Sequence, residues 1–309
     1  MADAGGVGET LVSVILATNR AGTAPFLRTA LDSVLQQTHV AWELLLMDDG
    51  SPDPEAARRL ESLDPRIRTT RLAPSGVARA RNAGVENAHG SLLAFLDDDD
   101  VWDRERLARH LALMRSEPEA VVSYCRMRTI DGSGRELAPG DQIAVRDIHD
   151  VYRGATGILM PNMLVRRDAF DEAGGFDPSL RVAEDLDLLL RMAMLGPVAF
   201  VDGPVLVDYR AHENNVTRGH RDVARSVRSV LERHRSSAVR RGDRALTADL
   251  THRIRANGRY AAWSAGRAAR GFLRDRRVGA AAGEVAWAVR FAPGAPVSWL
   301  SRRLTKRGR

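Results

Sequence analysis

The sequence predicts an α/β protein with a mostly parallel sheet flanked by helices, and three observations support this fold class. Segments typical of strands and of helices alternate over the first two thirds of the 309 residues. The strand segments are short apolar runs, which is the pattern of strands buried on both faces. Three of them end in polar clusters, as expected where ligands bind beyond the carboxyl ends of parallel strands.

The alternation can be followed segment by segment. Residues 11–17 form a β-branched run typical of a buried strand, and residues 23–37 place apolar side chains at helical spacing. The following segments continue the same alternation, which predicts crossover connections between parallel strands. Strands are predicted at residues 43–47, 67–72 and 91–96, and helices at residues 54–63, 77–88 and 103–115.

Beyond residue 121 the pattern is less regular, and the charge balance changes later in the chain. Residues 1–217 carry 23 Arg and 34 Asp+Glu, whereas residues 218–309 carry 23 Lys+Arg and 6 Asp+Glu. Such asymmetry indicates two regions with different partners.

We predict a flexible N-terminus at residues 1–9, the α/β domain at residues 10–217 and a basic helical region at residues 218–309. The later elements are predicted as strands at residues 121–128, 158–166 and 204–207 and a helix at residues 184–195.

Composition limits the class of protein. Hydrophobic residues make up 44% of the chain, which is enough for a core and argues against global disorder. The single cysteine, Cys125, excludes an internal disulfide, and its apolar surroundings predict a buried thiol. The first nine residues lack the features of a secretory signal, and no apolar run is long enough to span a bilayer. We therefore expect a cytoplasmic protein.

The most informative motif is a run of four carboxylates directly after a buried strand. Asp97, Asp98, Asp99 and Asp100 follow an apolar segment that ends at Leu96. Like charges at the tip of a buried strand cost stability unless a cation neutralises them, and Mg²⁺ or Mn²⁺ prefers such oxygen ligands, often together with phosphate. The motif indicates a phosphorylated substrate held through a divalent metal. The alternative is a solvated turn that caps the next helix.

Three further motifs are compatible with the same chemistry. Glu184 and Asp185 open a helix, where carboxylates either suit the helix dipole or supply a general base. Arg81 lies near a helix start that follows a glycine turn, which is a favourable place to bind phosphate, although an ordinary exposed helix start is equally compatible. His212 follows a strand and is either a metal ligand or a structural residue at the sheet edge.

Taken together and in this order, the motifs resemble family 2 glycosyltransferases, which are inverting enzymes of the nucleotide-diphosphosugar (GT-A) fold. The resemblance extends from about residue 11 to residue 217 and rests on eight motifs in register. They are Val12-Ser13-Val14-Ile15 with Thr18-Asn19-Arg20, Ser33-Val34-Leu35-Gln36-Gln37-Thr38, Trp42-Glu43-Leu44, Asp48-Asp49-Gly50-Ser51, Ala80-Arg81-Asn82-Ala83-Gly84, Phe95-Leu96-Asp97-Asp98-Asp99-Asp100 with Trp102, Gly174-Gly175-Phe176-Asp177 before Glu184-Asp185, and Tyr209-Arg210 with His212.

The resemblance implies the catalytic and metal-binding positions. Asp185 matches the catalytic base of the E-D motif, beside Glu184. Asp99 matches the direct ligand of a divalent metal, Mn²⁺ or Mg²⁺, and Asp97 is the other carboxylate of the same D-x-D motif. His212 matches a histidine that in many relatives reaches the metal.

The resemblance also implies the residues that contact the donor nucleotide. Asp49 matches the position that hydrogen-bonds the base, and Asp97 belongs to the motif that holds the ribose. Thr18 departs from the family pattern, which usually has an aromatic residue there, so stacking on the base is expected to be weaker. The expected donor contacts are Thr18, Asn19, Arg20, Asp49, Arg81, Asp97 and Asp98.

The function implied is metal-dependent, inverting sugar transfer of the hexosyltransferase class. The donor is a nucleotide-diphosphosugar, and the acceptor is a carbohydrate or lipid-linked hydroxyl in the synthesis of cell-surface polysaccharide, glycolipid or another glycoconjugate. One alternative is a nucleotidyltransferase of related fold, but the glycine-rich, lysine-bearing loop usual in that class is absent after the first strand. The other is a non-enzymatic binder of nucleic acid or an anionic surface. The acidic first region and the few aromatic residues of the tail disfavour nucleic acid.

The basic C-terminal region suggests a further partner. Residues 278–291 can form a helix with an apolar face, and a tryptophan and a leucine precede a basic cluster near the chain end. Basic residues mixed with tryptophan suit an anionic membrane surface, here the inner face of the plasma membrane. The alternative is a helical bundle that covers the α/β domain. The tail residues concerned are Trp299, Leu300, Arg302, Arg303, Lys306 and Arg307.

Overall fold

The computed structural model describes residues 10–212 and 219–294, which fall into two compact units divided after residue 212. The predicted boundary between residues 217 and 218 lies outside the described residues. The same is true of the predicted N-terminal segment, residues 1–9, and of the tail from residue 295 onward, including its tryptophan and basic cluster.

A nine-stranded sheet forms the centre of the first unit, with neighbours in the order β3-β2-β1-β4-β8-β6-β9-β5 and with β7 paired to β6. Strands β3, β2, β1 and β4 are mutually parallel, and β6 is parallel to β9. Strands β5, β7 and β8 pair antiparallel. The strands are β1 (Val12–Thr18), β2 (Trp42–Asp48), β3 (Ile67–Arg71), β4 (Leu92–Leu96), β5 (Val101–Trp102), β6 (Val122–Ile130), β7 (Glu136–Ala138), β8 (Met163–Arg166) and β9 (Val198–Arg210).

Six α-helices and two short 3₁₀ helices connect these strands. Helix α1 shows the predicted apolar face, because its core-facing side chains are buried at helical spacing. The helices are α1 (Leu27–Leu35), α2 (Val77–Glu86), α3 (Arg106–Ser116), α4 (Ile148–Arg153), α5 (Arg167–Glu172) and α6 (Glu184–Met192), with 3₁₀ helices at Arg58–Leu63 and Met160–Asn162.

The parallel half of the sheet brings three strand ends together. Strand β4 is fully buried, as is β2, and the register pairs Thr18 of β1 with Asp48 of β2 and Leu16 of β1 with Leu96 of β4. The polar residues that follow β1, β2 and β4 therefore leave the sheet at the same edge, as the sequence predicted. This edge carries the candidate site.

Two predicted helices begin four residues later in the structure. The helix predicted at residues 23–37 begins only at Leu27, because Pro25 disfavours helical geometry in the residue before it and residues 23–24 form a turn on the Arg20 carbonyl. Residues 54–57 form turns ahead of the 3₁₀ helix Arg58–Leu63, where a full helix was expected. The Asp53 carboxylate holds this turn by accepting from the Glu55 N–H.

Three elements near the site also differ from the sequence prediction. The strand predicted at residues 158–166 is a 3₁₀ helix at Met160–Asn162 followed by the short strand β8 (Met163–Arg166). Helix α6 ends at Met192, and the next residues form tighter turns before Gly196 and Pro197. The strand predicted at residues 204–207 is only part of β9, which is thirteen residues long. This strand continues across Gly203, where its pairing register with β6 shifts as in a β-bulge.

Cys125 is fully buried in β6, as predicted. Burial raises the pKa of its thiol to about 11, so the thiolate is disfavoured at neutral pH. A reactive cysteine is therefore not part of the chemistry of this unit.

The second unit consists of three helices: α7 (His220–Arg240), α8 (Arg244–Arg274) and α9 (Val278–Phe291). The helical character predicted for this region up to residue 291 is confirmed within the described residues. None of the helices described in residues 10–212 and 219–294 is long and apolar enough to cross a membrane.

Close packing of α2 on the sheet gives a test of the fold. A Cβ atom at Gly84 would lie 2.6 Å from Ile15 Cγ2 and 3.1 Å from Met47 Cγ, both fully buried. We expect Gly84→Ala to lower the free energy of unfolding by about 1–3 kcal/mol through overpacking. Urea denaturation measures this change.

The matched control is Gly271→Ala in α8, where no atom lies within 4 Å of the added Cβ. Since alanine favours helix over glycine, this variant should be as stable as the wild type or more stable by up to about 1 kcal/mol. Equal destabilisation of both variants would contradict the packing described for α2.

Candidate active site

The four carboxylates after β4 point in different directions. Asp97 and Asp99 face the edge of the sheet where the strand ends meet, and the Asp97 side chain is one-third exposed. Asp98 faces β1, and Asp100 is fully buried. Asp97 and Asp99, the two carboxylates of the D-x-D motif, therefore reach the cleft. Asp98 and Asp100 hold the loop in place.

Asp98 joins the end of β4 to the end of β1. Its carboxylate accepts hydrogen bonds from Thr18 Oγ1 at 2.5 Å and from Arg20 Nε and Nη2 at 3.0 and 2.7 Å. Arg20 also approaches Asp99 Oδ2 at 3.3 Å, while Asn19 is exposed beside them. Three predicted donor-binding residues, Thr18, Arg20 and Asp98, are therefore in mutual contact, and Asp98 is occupied by protein donors.

Arg81 links the D-x-D loop to the E-D motif. Arg81 is 4% exposed, and its guanidinium donates from Nη2 to Asp97 Oδ1 at 2.5 Å and from Nη1 to Glu184 Oε1 at 2.8 Å. Asp97 and Glu184 lie 87 positions apart in the sequence but share this cation. The arginine predicted to bind donor phosphate is therefore buried, and it bridges the two acidic motifs.

Helix α6 presents Glu184 and Asp185 in its first turn. Asp185 is half-buried, and its Oδ2 accepts from the Met160 backbone N–H at 3.3 Å. Ala183, which precedes the pair, has a left-handed backbone with φ of 66°, a strained geometry for alanine. Burial, followed by the Asp185 carboxylate, raises the pKa of Glu184 to about 7 against the opposing effect of Arg81.

His212 contacts the D-x-D motif directly. Its Nε2 lies 2.7 Å from Asp99 Oδ2, and its ring packs on Phe26 with centroids 5.5 Å apart. Burial and then the neighbouring Asp97 and Asp98 carboxylates raise the pKa of Asp99, against the hydrogen bond from His212. The structure therefore places the predicted metal-binding histidine beside the predicted metal-binding aspartate.

Asp49 lies at the end of β2, where it was expected to contact the base of the nucleotide. Its Oδ1 accepts from Ser75 N and Oγ at 2.7 and 2.8 Å, and its Oδ2 accepts from Gly76 N at 2.8 Å. Asp49 thus fixes the loop before α2 in this structure, and its contact with a nucleotide base stays a prediction.

The donor atoms at the cleft suit a divalent cation. Two carboxylate oxygens, Asp97 Oδ2 and Asp99 Oδ1, accept no hydrogen bond from any described residue, and the imidazole Nε2 of His212 lies beside them, 2.7 Å from Asp99 Oδ2. An oxygen-rich set with one nitrogen matches the preferences of Mg²⁺ and Mn²⁺. Across the parts of the chain that the structure describes, no group of three or more His, Cys, Asp or Glu side chains is arranged to hold a metal ion by itself. Further ligands would have to come from substrate or water.

Sequence reasoning missed several residues that hold the site together. Arg210 donates from its backbone N–H to Asp100 Oδ1 at 2.9 Å and from Nε to the Asp99 carbonyl at 3.0 Å, so it fixes the D-x-D loop. It lies inside the predicted Tyr209-Arg210-x-His212 motif, which was the available signal. Asn82 exchanges two hydrogen bonds with the backbone of Phe176, which ties two of the predicted motifs together.

Arg106 is a second residue that the sequence did not single out. It is fully buried at the start of α3, and its Nη2 donates to the carbonyls of Pro161 and Met163 at 3.0 and 2.7 Å. These contacts hold the turn whose Met160 N–H reaches Asp185. Nothing in the sequence marks this long-range contact.

The comparisons with known proteins agree with this architecture. Residues 13–174 match the model of the family described as Glycosyl transferase family 2. A protein of Bacillus subtilis (strain 168) named as a glycosyltransferase of teichuronic acid biosynthesis, TuaG, is 30% identical over 213 residues, which are 68% of this chain and 82% of TuaG. The chain therefore belongs to family 2 of the glycosyltransferases, which confirms the predicted family and the prediction that the protein is a glycosyltransferase.

The chain is also similar to a glucosyltransferase of Escherichia coli and to the solved structure of a mannosyltransferase. The UDP-Glc:α-D-GlcNAc-diphosphoundecaprenol β-1,3-glucosyltransferase WfgD of Escherichia coli is 38% identical over 107 residues, 34% of this chain and 42% of WfgD. The mannosyltransferase PcManGT of Pyrobaculum calidifontis, solved with GDP-Man and Mn²⁺, superposes with a TM-score of 0.60 at 20% identity, covering 95% of this chain and 79% of PcManGT. This likeness confirms the predicted GT-A fold.

The raised pKa of Glu184 predicts a specific dependence of stability on pH. Between about pH 4.5 and pH 7 the folded state keeps the Glu184 proton that the unfolded state has released. The folded state then binds more protons, so the free energy of unfolding falls as pH rises through this window. We expect Glu184→Gln to reduce that fall by on the order of 1–3 kcal/mol, measured by urea denaturation across the window.

Glu86→Gln is the matched control, because Glu86 is exposed on α2. It should leave the slope of stability against pH as in the wild type. If the slope of Glu184→Gln also equals that of the wild type, the protonation assigned to Glu184 is wrong.

Proposed function

We propose that this enzyme transfers a sugar, with inversion at the anomeric carbon, from a nucleotide-diphosphosugar to an acceptor hydroxyl. The observation that carries the proposal is the Arg81 bridge between Asp97 and Glu184. It supports a single cleft in which the D-x-D loop faces the first turn of α6. A donor held by the loop would then present its anomeric carbon to that turn.

Asp185 is the general base of the proposed reaction. In-line displacement requires the acceptor hydroxyl to lose its proton on one face of the anomeric carbon while the diphosphate leaves on the other. Asp185 is half-buried, and the Met160 N–H orients its carboxylate. Glu184 is tied to Arg81 at 2.8 Å, so it acts by positioning the helix start and does not reach for substrate.

The donor lies, in this proposal, along the edge formed by the ends of β1, β2 and β4. Asp49 is assigned to the base, and Thr18, Asn19 and Arg20 to the nucleotide at the end of β1. The names of WfgD and PcManGT, which give UDP-Glc and GDP-Man for those two proteins, support a nucleotide-sugar donor for this chain.

We assign a divalent metal, Mn²⁺ or Mg²⁺, to Asp99, Asp97 and His212. When bound there, the ion would offset the charge that develops on the departing nucleoside diphosphate. The oxygens that Asp97 and Asp99 leave without a described hydrogen-bond donor support this assignment, as does the Mn²⁺ named with PcManGT. Arg20 stands near Asp99 as a fixed positive charge on the same side of the loop.

The acceptor is proposed to be a carbohydrate hydroxyl on a polysaccharide precursor or a lipid-linked sugar. The name of WfgD, which includes a diphosphoundecaprenol-linked sugar, supports the lipid-linked class. TuaG, named for teichuronic acid biosynthesis, supports a role in the synthesis of a cell-surface polymer.

Removal of the base is the direct test of this function. Asp185→Asn keeps the shape of the side chain but cannot accept the acceptor proton, so transfer should fall by about 10²–10⁴-fold. Binding of the nucleoside diphosphate should change little. Product formation from a panel of nucleotide sugars and calorimetry of the nucleotide measure the two properties separately.

Asp187→Asn serves as the matched control, since it removes another carboxylate from the same helical turn. Asp187 is buried and pairs with Arg191 at 2.8 Å, which lies outside the proposed reaction. This variant should keep most of the transfer activity. Wild-type turnover by Asp185→Asn would refute the assignment of the base.

A further inference from the structure

One face of α8 carries a stripe of arginines with two aromatic residues among them. Arg259, Trp263, Arg267, Arg270 and Arg274 are spaced by four, four, three and four positions, which places them on one side of a helix. We call these five residues, with the adjacent Tyr260, the arginine stripe.

The arginine stripe faces away from the packing of the three-helix unit. Its four arginines are exposed, and Tyr260 and Trp263 are 61% and 47% exposed. The buried residues of the same part of α8 are Ala261, Ala265 and Ala269, on the opposite side of the helix. The aromatic rings of the stripe therefore contribute little to this core, and their exposed area costs free energy in water.

The charge of the stripe is not balanced within the unit. From residue 250 to its end, α8 contains six arginines and no acidic residue. None of the four stripe arginines forms an ion pair with a residue in the described part of the chain. On α7, by contrast, three arginines pair with carboxylates: Arg221 with Glu284 at 2.9 Å, Arg225 with Asp222 at 2.9 Å and Arg228 with Glu232 at 3.5 Å.

The stripe also combines charge with amphipathic rings. The Arg267 guanidinium lies over the Trp263 ring, 4.7 Å from its centroid, and Tyr260 packs beside Trp263 with centroids 5.8 Å apart. Tryptophan and tyrosine prefer the boundary between water and lipid, because the ring is apolar and its polar atom can stay hydrated. Arginine beside them binds phosphate oxygens through its planar fork.

Helix α9 adds exposed apolar surface of a kind that suits lipid. Val278, Val285 and Val289 are 66%, 54% and 47% exposed and share one side of this helix, with spacings of seven and four. Contact with acyl chains removes valine side chains from water and is favourable in free energy, whereas contact with a phosphodiester backbone is not. This apolar surface favours a membrane over a nucleic acid as the partner of the unit.

We propose that the arginine stripe is a docking surface for an anionic phospholipid bilayer. Phosphate groups and the negative surface potential would attract the four arginines, and Tyr260 and Trp263 would enter the headgroup layer. The surface would hold the enzyme where lipid-linked acceptors are found. Vesicle binding needs no sugar transfer, so this proposal can fail while the proposed function stands, and the reverse is also possible.

Sedimentation of the full chain with vesicles tests the proposal. One set of vesicles is pure phosphatidylcholine, and the other contains about 30% phosphatidylglycerol, a fraction that supplies an anionic surface. We expect binding only to the anionic vesicles, and weaker binding as salt is raised. Each arginine near such a surface strengthens binding about fivefold. Because the four contributions multiply, the variant in which Arg259, Arg267, Arg270 and Arg274 are all replaced by Gln should bind about 10²–10³-fold more weakly.

A control variant with the same net charge as the stripe variant distinguishes an effect of the stripe itself from an effect of net charge. Four other exposed arginines outside the stripe are replaced by Gln: Arg104, Arg115, Arg240 and Arg244. This control should keep wild-type vesicle binding, and the circular dichroism of both variants should show intact helices. Trp263→Ala alone should weaken binding severalfold, with the loss persisting at high salt, where the charge contribution is screened.

Three results would overturn the proposal. The first is equal vesicle binding by the wild type and the stripe variant. The second is an equal loss of binding in the stripe variant and the control, because the effect would then come from net charge. The third is tighter binding of the full chain to double-stranded DNA or RNA than to anionic vesicles under the same salt, because the stripe would then serve a nucleic acid.

Discussion

The buried guanidinium of Arg81 is the contact on which the active site depends. It is the cation shared by Asp97, at the end of β4, and Glu184, at the start of α6. Without it, two carboxylates from distant parts of the chain would face each other in a poorly solvated place, which is strongly unfavourable. The ion pair between Arg81 and Glu184 therefore fixes the position of the next residue, Asp185, relative to the D-x-D loop.

The other carboxylates of the cleft are also held by hydrogen bonds or ion pairs with the protein. Arg20 and Thr18 hold Asp98, Arg210 holds the loop at Asp99 and Asp100, and the loop before α2 holds Asp49. Burial and the crowding of like charges nevertheless raise the pKa of Asp99 and of Asp100. The raised pKa values show that the negative charges at this edge are only partly offset by protein partners, which supports the proposal that a cation binds there with a diphosphate.

The sequence predicted most of the sheet and the acidic motifs, because both depend on local patterns. Apolar runs located β1, β2 and β4, and the placement of polar residues after them located the edge of the site. Element ends were less accurate, since Pro25 delays the start of α1 and a register shift carries β9 through Gly203. Such effects depend on single residues or on the neighbouring strand.

Contacts between residues far apart in the chain could not be predicted from the sequence. The donor contact predicted for Arg81 stays a prediction, but its burial between two carboxylates was not predicted. Arg106 and Asn82 support the site through the backbone of segments far along the chain. A residue's type indicates what it can bind, but the fold decides which partner is within reach, so these roles required the three-dimensional structure.

The most direct test of the account is a crystal structure with a nucleoside diphosphate and Mn²⁺, with diffraction measured at the manganese edge. We predict an anomalous peak within coordination distance of Asp99, with the diphosphate as a further ligand and the carboxylate of Asp185 facing the same cleft. A manganese peak remote from Asp99, or a nucleotide bound away from the ends of β1, β2 and β4, would contradict it.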